Sequence, residues 1–198
     1  MRYAMIFLLV IALLSCSNAP SYKLKEVNYK EISKDFRGYG FAKSANKEMA
    51  LKMAETNARK NIAEQIAGIR FSYTNLNNET NIRFNIGPMD FEGLMLDKIF
   101  VLESTDITIA VFKITRTVRK PFGEGVLYNE MQVKFSDDLL KVSKSRTNII
   151  TDTIQQKFPR AHEVKGVFFI DNVKVDWNKM TGVIEYTESY SIVIESVQ

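Results

Sequence analysis

Ala50, Ala54 and Ala58 recur every fourth residue, and the same row continues through Ile62 and Ile66. That spacing predicts a helix over Ala45 to Ala67 with one narrow apolar stripe and Met49 and Met53 alongside. Ser44 is placed to cap it and Gly68 to stop it. Just upstream, Asp35 to Ala42 alternates as a strand, with Gly38 and Gly40 on one face. Bare backbone on the strand and small side chains on the helix suit a close approach between the two. No other feature constrains the fold as much.

The rest reads mainly as strands. Ile69 to Tyr73 begins one, and the Asn-rich stretch from Thr74 to Asn85 suits a hairpin or a long loop. After the break at Gly87-Pro88, residues Phe91, Leu94, Met95, Ile99 and Leu102 follow helical spacing, although Ile99 to Leu102 also fits a strand. Asp106 to Lys120 is apolar on both faces: Ile107, Ile109 and Val111 on one, Ala110, Phe112 and Ile114 on the other. The turn residues Pro121 to Gly125 and the strand Val126 to Phe135 then predict a hairpin. Ser136 is expected to cap a second helix with Asp137 and Asp138 in its first turn. Leu139, Val142, Arg146, Ile149, Ile150, Thr153 and Ile154 trace its face, and Pro159 ends it. Val167 to Trp177, a turn at Asn178 to Gly182, and a strand from Ile184 predict a final hairpin. There Ile184, Tyr186, Tyr190, Ile192 and Ile194 share one face, and Glu185, Thr187, Ser189 and Ser191 a wet one. The expected class is α+β: an antiparallel sheet packed against a long Ala-rich helix, with a second helix and a C-terminal β-hairpin. A length of 198 residues suits one domain. It is placed at residues 31–198, of which 161–198 form a C-terminal β extension.

The chain begins differently. After Arg2, Ala4 to Leu14 is an unbroken apolar run. It is too short to cross a bilayer, which takes about 20 residues, and it suits the core of a signal peptide. The run ends in Leu13-Leu14-Ser15-Cys16, which resembles the bacterial lipobox, and Cys16 is the chain's one cysteine. Residues 1–15 are therefore expected to be a lipoprotein signal peptide, and Cys16 the lipidation site carrying palmitate-type acyl chains. Two or three such chains hold a protein on a membrane at about 0.8 kcal/mol per buried CH2. Residues 16–30, polar and aperiodic, read as a tether. Ser17 rather than Asp follows Cys16, which favours the outer membrane, facing the periplasm, over inner-membrane retention.

The run Gly38-Tyr39-Gly40-Phe41-Ala42, followed by Ala50, Ala54, Asn57-Ala58-Arg59, Ile62-Ala63 and Ile66, resembles the LPP-twenty lipoprotein family. The resemblance covers about 30 residues. It implies an envelope lipoprotein in which a helix packs on a small antiparallel sheet. It also implies a role in envelope assemblies or at the cell surface, and no catalytic reaction.

Candidates for chemistry are few. One Cys excludes an internal disulfide and one His, His162, excludes a multi-histidine metal site. His162 follows a helix end and reads as an exposed loop residue. Asp137 and Asp138 read as helix-start charges. Asp171, Asp176 and Glu185 lack EF-hand spacing. Gly38-x-Gly40 lacks the further glycine and lysine of a phosphate loop. Lys113, Arg116, Arg119 and Lys120 form a basic cluster, read as a solvated strand end or a contact for acidic glycans or lipid headgroups. The net charge of +4 needs no nucleic acid to explain it. The expectation is a protein that is not an enzyme and takes no cofactor or metal. It would act through protein–protein interaction, with an envelope partner or as a homo-oligomer, while anchored to the membrane at Cys16. The alternative is a lipid- or glycan-binding carrier with a pocket between helix and sheet. The last hairpin, through Tyr186, Tyr190, Ile192 and Ile194, is the expected partner surface, on the argument that it lies at a sheet edge.

Overall fold

The computed structural model describes residues 22–76, 79–87 and 92–198. The expected signal peptide, the expected lipidation site Cys16 and the first part of the expected tether lie outside the described residues. Two antiparallel sheets organise the chain. The first has the order β1-β5-β4, from β1 (Asn28–Lys43), β4 (Met95–Leu102) and β5 (Ile107–Phe122). The second has the order β3-β2-β7-β8-β6. It is built from β2 (Ile69–Leu76), β3 (Glu79–Asn85), β6 (Val126–Phe135), β7 (Glu163–Trp177) and β8 (Ile184–Val197). The helices are α1 (Lys47–Ala67) and α2 (Lys141–Lys157).

This corrects the expected class. Strands make up 55% and helices 22% of the described residues, so the fold is mostly antiparallel β in two sheets rather than an α+β domain of one sheet under a long helix. Two local misreadings lie behind the difference. The stretch with helical spacing near Met95 is the strand β4. A bulge between Leu96 and Lys98 shifts its alternation by one residue. Leu96 and Ile99, three apart, thereby come to face the same way, opposite Phe112 and Ala110, which imitates a helical period. The second misreading is the hairpin of Asp106–Lys120 with Val126–Phe135. β5 is the central strand of the first sheet, already paired on both sides by β1 and β4, whereas β6 pairs with β8 in the other sheet. The glycine turn between them carries the chain from one sheet to the other, and Gly125 donates its amide to the carbonyl of Glu26.

The two apolar faces of β5 have different partners. Ile107, Ile109 and Val111 enter the main core with residues of β2, β6, β7 and β8, closed by Ile150 and Ile154 of α2. Ala110, Phe112, Ile114 and Val118 join Phe36, Ala54, Ala58 and Ile62 in a smaller cluster against α1. At that seam a Cβ on Gly40 would collide with the backbone of Ala54 and Ala58, and one on Gly38 with Ala58 and Ile62. The two glycines thus permit a backbone-to-backbone approach that any side chain would block.

Helix caps also differ in detail. α1 starts at Asn46, whose side chain accepts from the Met49 amide, while Ser44 accepts from the Asn46 amide. α2 starts after Leu140 with no side-chain cap. Ser136, Asp137 and Asp138 stand before it, where Asp138 pairs with Lys144 at 2.7 Å and Asp137 with Lys43 at 3.3 Å. The final hairpin pairs as expected, with β7 against β8 from Trp177 and Ile184 outward. Residues 22–30, expected as tether, run on the domain: Tyr22 meets Phe158 edge-on at 5.2 Å, and β1 already begins at Asn28.

Candidate functional site

An antiparallel sheet has two edges, and each must be sealed or left able to accept another strand. In the first sheet the edges are β1 and β4. α1 seals β1 with three amide side chains one turn apart. Asn57 donates to the carbonyl of Phe41 at 2.9 Å, Asn61 accepts from the Tyr39 amide at 3.1 Å, and Gln65 donates to the carbonyl of Arg37 at 2.7 Å. The match is geometric. Four helical residues rise about 6.0 Å and two strand residues about 6.6 Å, so an i, i+4 row keeps step with alternate strand residues. Met53 and Met49 continue that row to the end of β1 and beyond it, and both stand exposed.

Among the described residues the β4 edge has no such cover. Leu96, Ile99 and Val101 share the face on which α1 lies, since they oppose Phe112, Ala110 and Thr108, but α1 packs over β1 and β5. They are 45%, 42% and 54% exposed, and Met95 is 56% exposed, so the strand carries apolar side chains in water beside an open backbone edge. Between β4 and α1 runs a groove of about 510 Å³, lined by Ala50, Leu51, Ile99 and Val101 with Lys43 and Lys47 at its rim. The other edges are more polar. β3 presents Glu79, Asn81 and Arg83, and β6 presents Glu130, Gln132 and Lys134. On β4 the bulge at Asp97 interrupts one end of the edge. Lys113 donates to the Asp97 carboxylate at 2.9 Å, which holds that carboxyl below its ordinary range.

The most unusual chemistry is enclosed. Arg146 of α2 is buried and forks between two carboxylates: Nε donates to Glu188 Oε1 at 3.0 Å, Nη2 to Glu188 Oε2, and Nη1 to Glu64 Oε2 at 2.9 Å. Tyr186 donates its hydroxyl to Glu188 at 2.7 Å and accepts from Arg146 at 3.2 Å. Burial and the Glu188 charge push the tyrosine well above its ordinary pKa, so it stays a donor. Burial alone would lower the arginine, but Glu188, Tyr186 and Glu64 together raise it, so its charge is permanent. Nearby, Lys120 caps the end of α1 by donating to the carbonyl of Gln65 at 3.1 Å and reaches the Ile170 carbonyl at 2.7 Å. Burial brings it down to about 8 despite Asp171, 3.5 Å away. Both clusters tie helices to sheets through satisfied hydrogen bonds.

The expected partner surface does not stand. Tyr186, Tyr190 and Ile192 are 2%, 4% and 2% exposed, Ile194 is half-buried, and β8 lies between β7 and β6 rather than at an edge. Their face is core, with Phe168 stacked on Tyr190 at 4.7 Å. Glu188 sits in the middle of the same face, and Val193 on the supposedly wet face is buried beside Val126, Val167 and Phe169. The basic cluster is dispersed: Lys113 pairs with Asp97, Lys120 is buried, and Arg119 lies over the Tyr29 ring. His162 is exposed. Asp171, Asp176 and Glu185 pair separately with Lys120, Lys174 and Lys134. Among the described residues no acidic or histidine cluster is placed to hold a metal, and no helix is long and apolar enough to cross a membrane. What sequence reading missed is the amide row of α1 and the open β4. The Asn57, Asn61, Gln65 spacing is visible in the sequence, but its target is not.

Comparison with known proteins finds no matching family model, no matching curated protein and no matching solved structure.

Proposed function

We propose that this chain is a bacterial envelope lipoprotein, acylated at Cys16 and placed in the outer membrane, that acts without catalysis by binding a strand of a partner protein on β4. The observation that carries the reading is the outer edge of β4, a strand paired with β5 on one side, whose exposed Ile99 and Val101 flank an apolar groove. An extended segment added there would gain main-chain hydrogen bonds from the edge and side-chain burial in the groove. The Gly38-to-Ile66 resemblance to the LPP-twenty family supports the envelope setting, and the lipobox supports the anchor. The carrier alternative places its ligand under α1, where Gly38 and Gly40 meet Ala54, Ala58 and Ile62 in direct contact. The flank groove, unlike that seam, is open space beside the helix.

Two experiments test the reading separately. Cys16→Ser should move the protein out of the membrane fraction or leave an uncleaved precursor; unchanged processing and retention would remove the anchor. A photocrosslinking residue at Ile99 should give a discrete adduct in cells, whereas one at Lys134 on the polar β6 edge should not. The adduct should vanish with Val101→Lys, and its mass tells a second copy from a different protein. Equal crosslinking from both edges would reject β4 as the docking strand.

A further inference from the structure

We infer that the end of the domain formed by Tyr22 to Tyr29, Phe122 to Gly125 and the C-terminus of α2 is a face that rests on an anionic lipid surface. This rests on the lipidation at Cys16 proposed above. From Cys16 to Tyr22 the chain is six residues long, so an anchored domain is held within about 20 Å of the bilayer at that point, however those residues are arranged. The chemistry of the surface there suits a lipid interface. Lys23, Lys25 and Lys157 line a groove of about 340 Å³ whose floor is Leu24, Leu127, Phe158 and Ile194. Arg160 is exposed beside it, its amide donating to the Tyr22 hydroxyl at 3.2 Å. Glu124 is the acidic residue of the groove, and Lys25 pairs with it at 3.1 Å. Among the described residues Lys23, Lys157 and Arg160 form no ion pair, so their charge is available to anionic headgroups.

Aromatic residues ring the same end. Tyr29 is 41%, Phe122 40% and Tyr128 59% exposed, with Lys30 over the Phe122 ring and Arg119 over Tyr29. Amphipathic rings beside cations are the composition favoured at a membrane–water boundary. The fold also separates this end from β4. β1 and β5 pair along sixteen residues, from Asn28 opposite Phe122 to Lys43 opposite Ile107, a span of about 50 Å. The groove beside Ile99 and Val101 lies at the Lys43 end. A domain resting on its Tyr22 end would therefore hold the β4 edge away from the lipid.

The test uses the acylated full chain. Cys16 is the one cysteine, so Leu24→Cys and Met180→Cys each add the only free thiol to acylated protein. Met180 is 91% exposed on the turn at the far end. Each variant is labelled with a fluorophore and reconstituted into vesicles of phosphatidylcholine alone or mixed with phosphatidylglycerol, with brominated lipid as quencher. In the anionic vesicles the label at position 24 should be quenched and that at 180 should not. Raised salt, or Lys23→Glu with Lys157→Glu and Arg160→Glu, should abolish the difference. Equal quenching at both positions, or quenching at 24 indifferent to phosphatidylglycerol, overturns the inference while leaving the anchor intact. A wild-type protein that fails to float with vesicles and carries a reactive Cys16 thiol overturns the anchor itself, and the leash argument with it.

Discussion

Arg146 and Lys120 are the residues whose removal should be felt most, for opposite electrostatic reasons. Arg146 compensates two buried carboxylates, so Arg146→Met leaves Glu188 without its cation and Glu64 with the more distant Lys60, 3.9 Å away, and should cost about 3–5 kcal/mol of stability. Lys144→Met, which breaks the exposed pair with Asp138, should cost less than about 1 kcal/mol. Chemical denaturation of the two variants measures the contrast; equal losses would mean that the Arg146 cluster adds nothing that a surface pair does not. Lys120 carries a pH signature. Its folded-state pKa, about 8, lies below its unfolded value of 10.5 because burial disfavours the charged amine. Between those values the unfolded chain binds more protons than the folded one, so stability contributed at this site rises with pH from about 8 to about 10.5. The rise is of order 3 kcal/mol at most. Lys120→Met should flatten that rise in denaturation curves taken across the window, and an unchanged slope would assign the effect to another group.

At the scale of the element, α1 does two jobs with two rows of residues. The Ala row lies on the sheet, and the amide row closes the β1 edge. Gly40→Ala or Ala54→Leu should overpack the seam and cost about 1–3 kcal/mol, whereas Lys52→Leu on the exposed side should cost little. Thermal midpoints lowered alike in all three would show that the seam is not the tight contact. The same element shows how far local patterns reach. The i, i+4 stripe was readable because it depends on the helix alone. β4 was misread because a one-residue bulge at Asp97 alters the period on which strand recognition depends, and the pairing across that bulge belongs to β5, not to β4's own sequence.

For the whole molecule the question is what the C-terminal hairpin contributes. β8 joins β6 to β7, and its Ile184, Tyr186, Glu188, Tyr190 and Ile192 fill the centre of the main core. A chain lacking residues Asn172 to Gln198 would leave β6 without its partner strand and Arg146 without Glu188. Such a chain should lose its cooperative urea transition, with backbone circular dichroism changing gradually. A sharp transition of near-full amplitude would show instead that the hairpin is an appendage. The long β1–β5 ladder gives the molecule its two ends, the chain's entry at Tyr22 and the β4 groove near Lys43.

The sequence by itself determined the positions of most strands, the span of α1, the two-faced character of β5 and the final hairpin. These follow from side-chain periodicity and turn chemistry, which are local. The proposed membrane attachment also rests on the sequence alone, on the apolar run before Cys16. Only the tertiary structure decided which strands pair, and so which residues meet water. Val126 to Phe135 pairs with β8 in the second sheet rather than with its neighbour in sequence because both sides of β5 were already taken. Tyr186 and Ile192, apolar at strand spacing, went to the core, while Ile99 and Val101, equally apolar, were left exposed, because burial depends on what packs over a face. Glu188 gives the sharpest case. Its alternation places it inward whatever the fold, but whether a carboxylate can stay there depends on Arg146, forty-two residues away in sequence and on a different element.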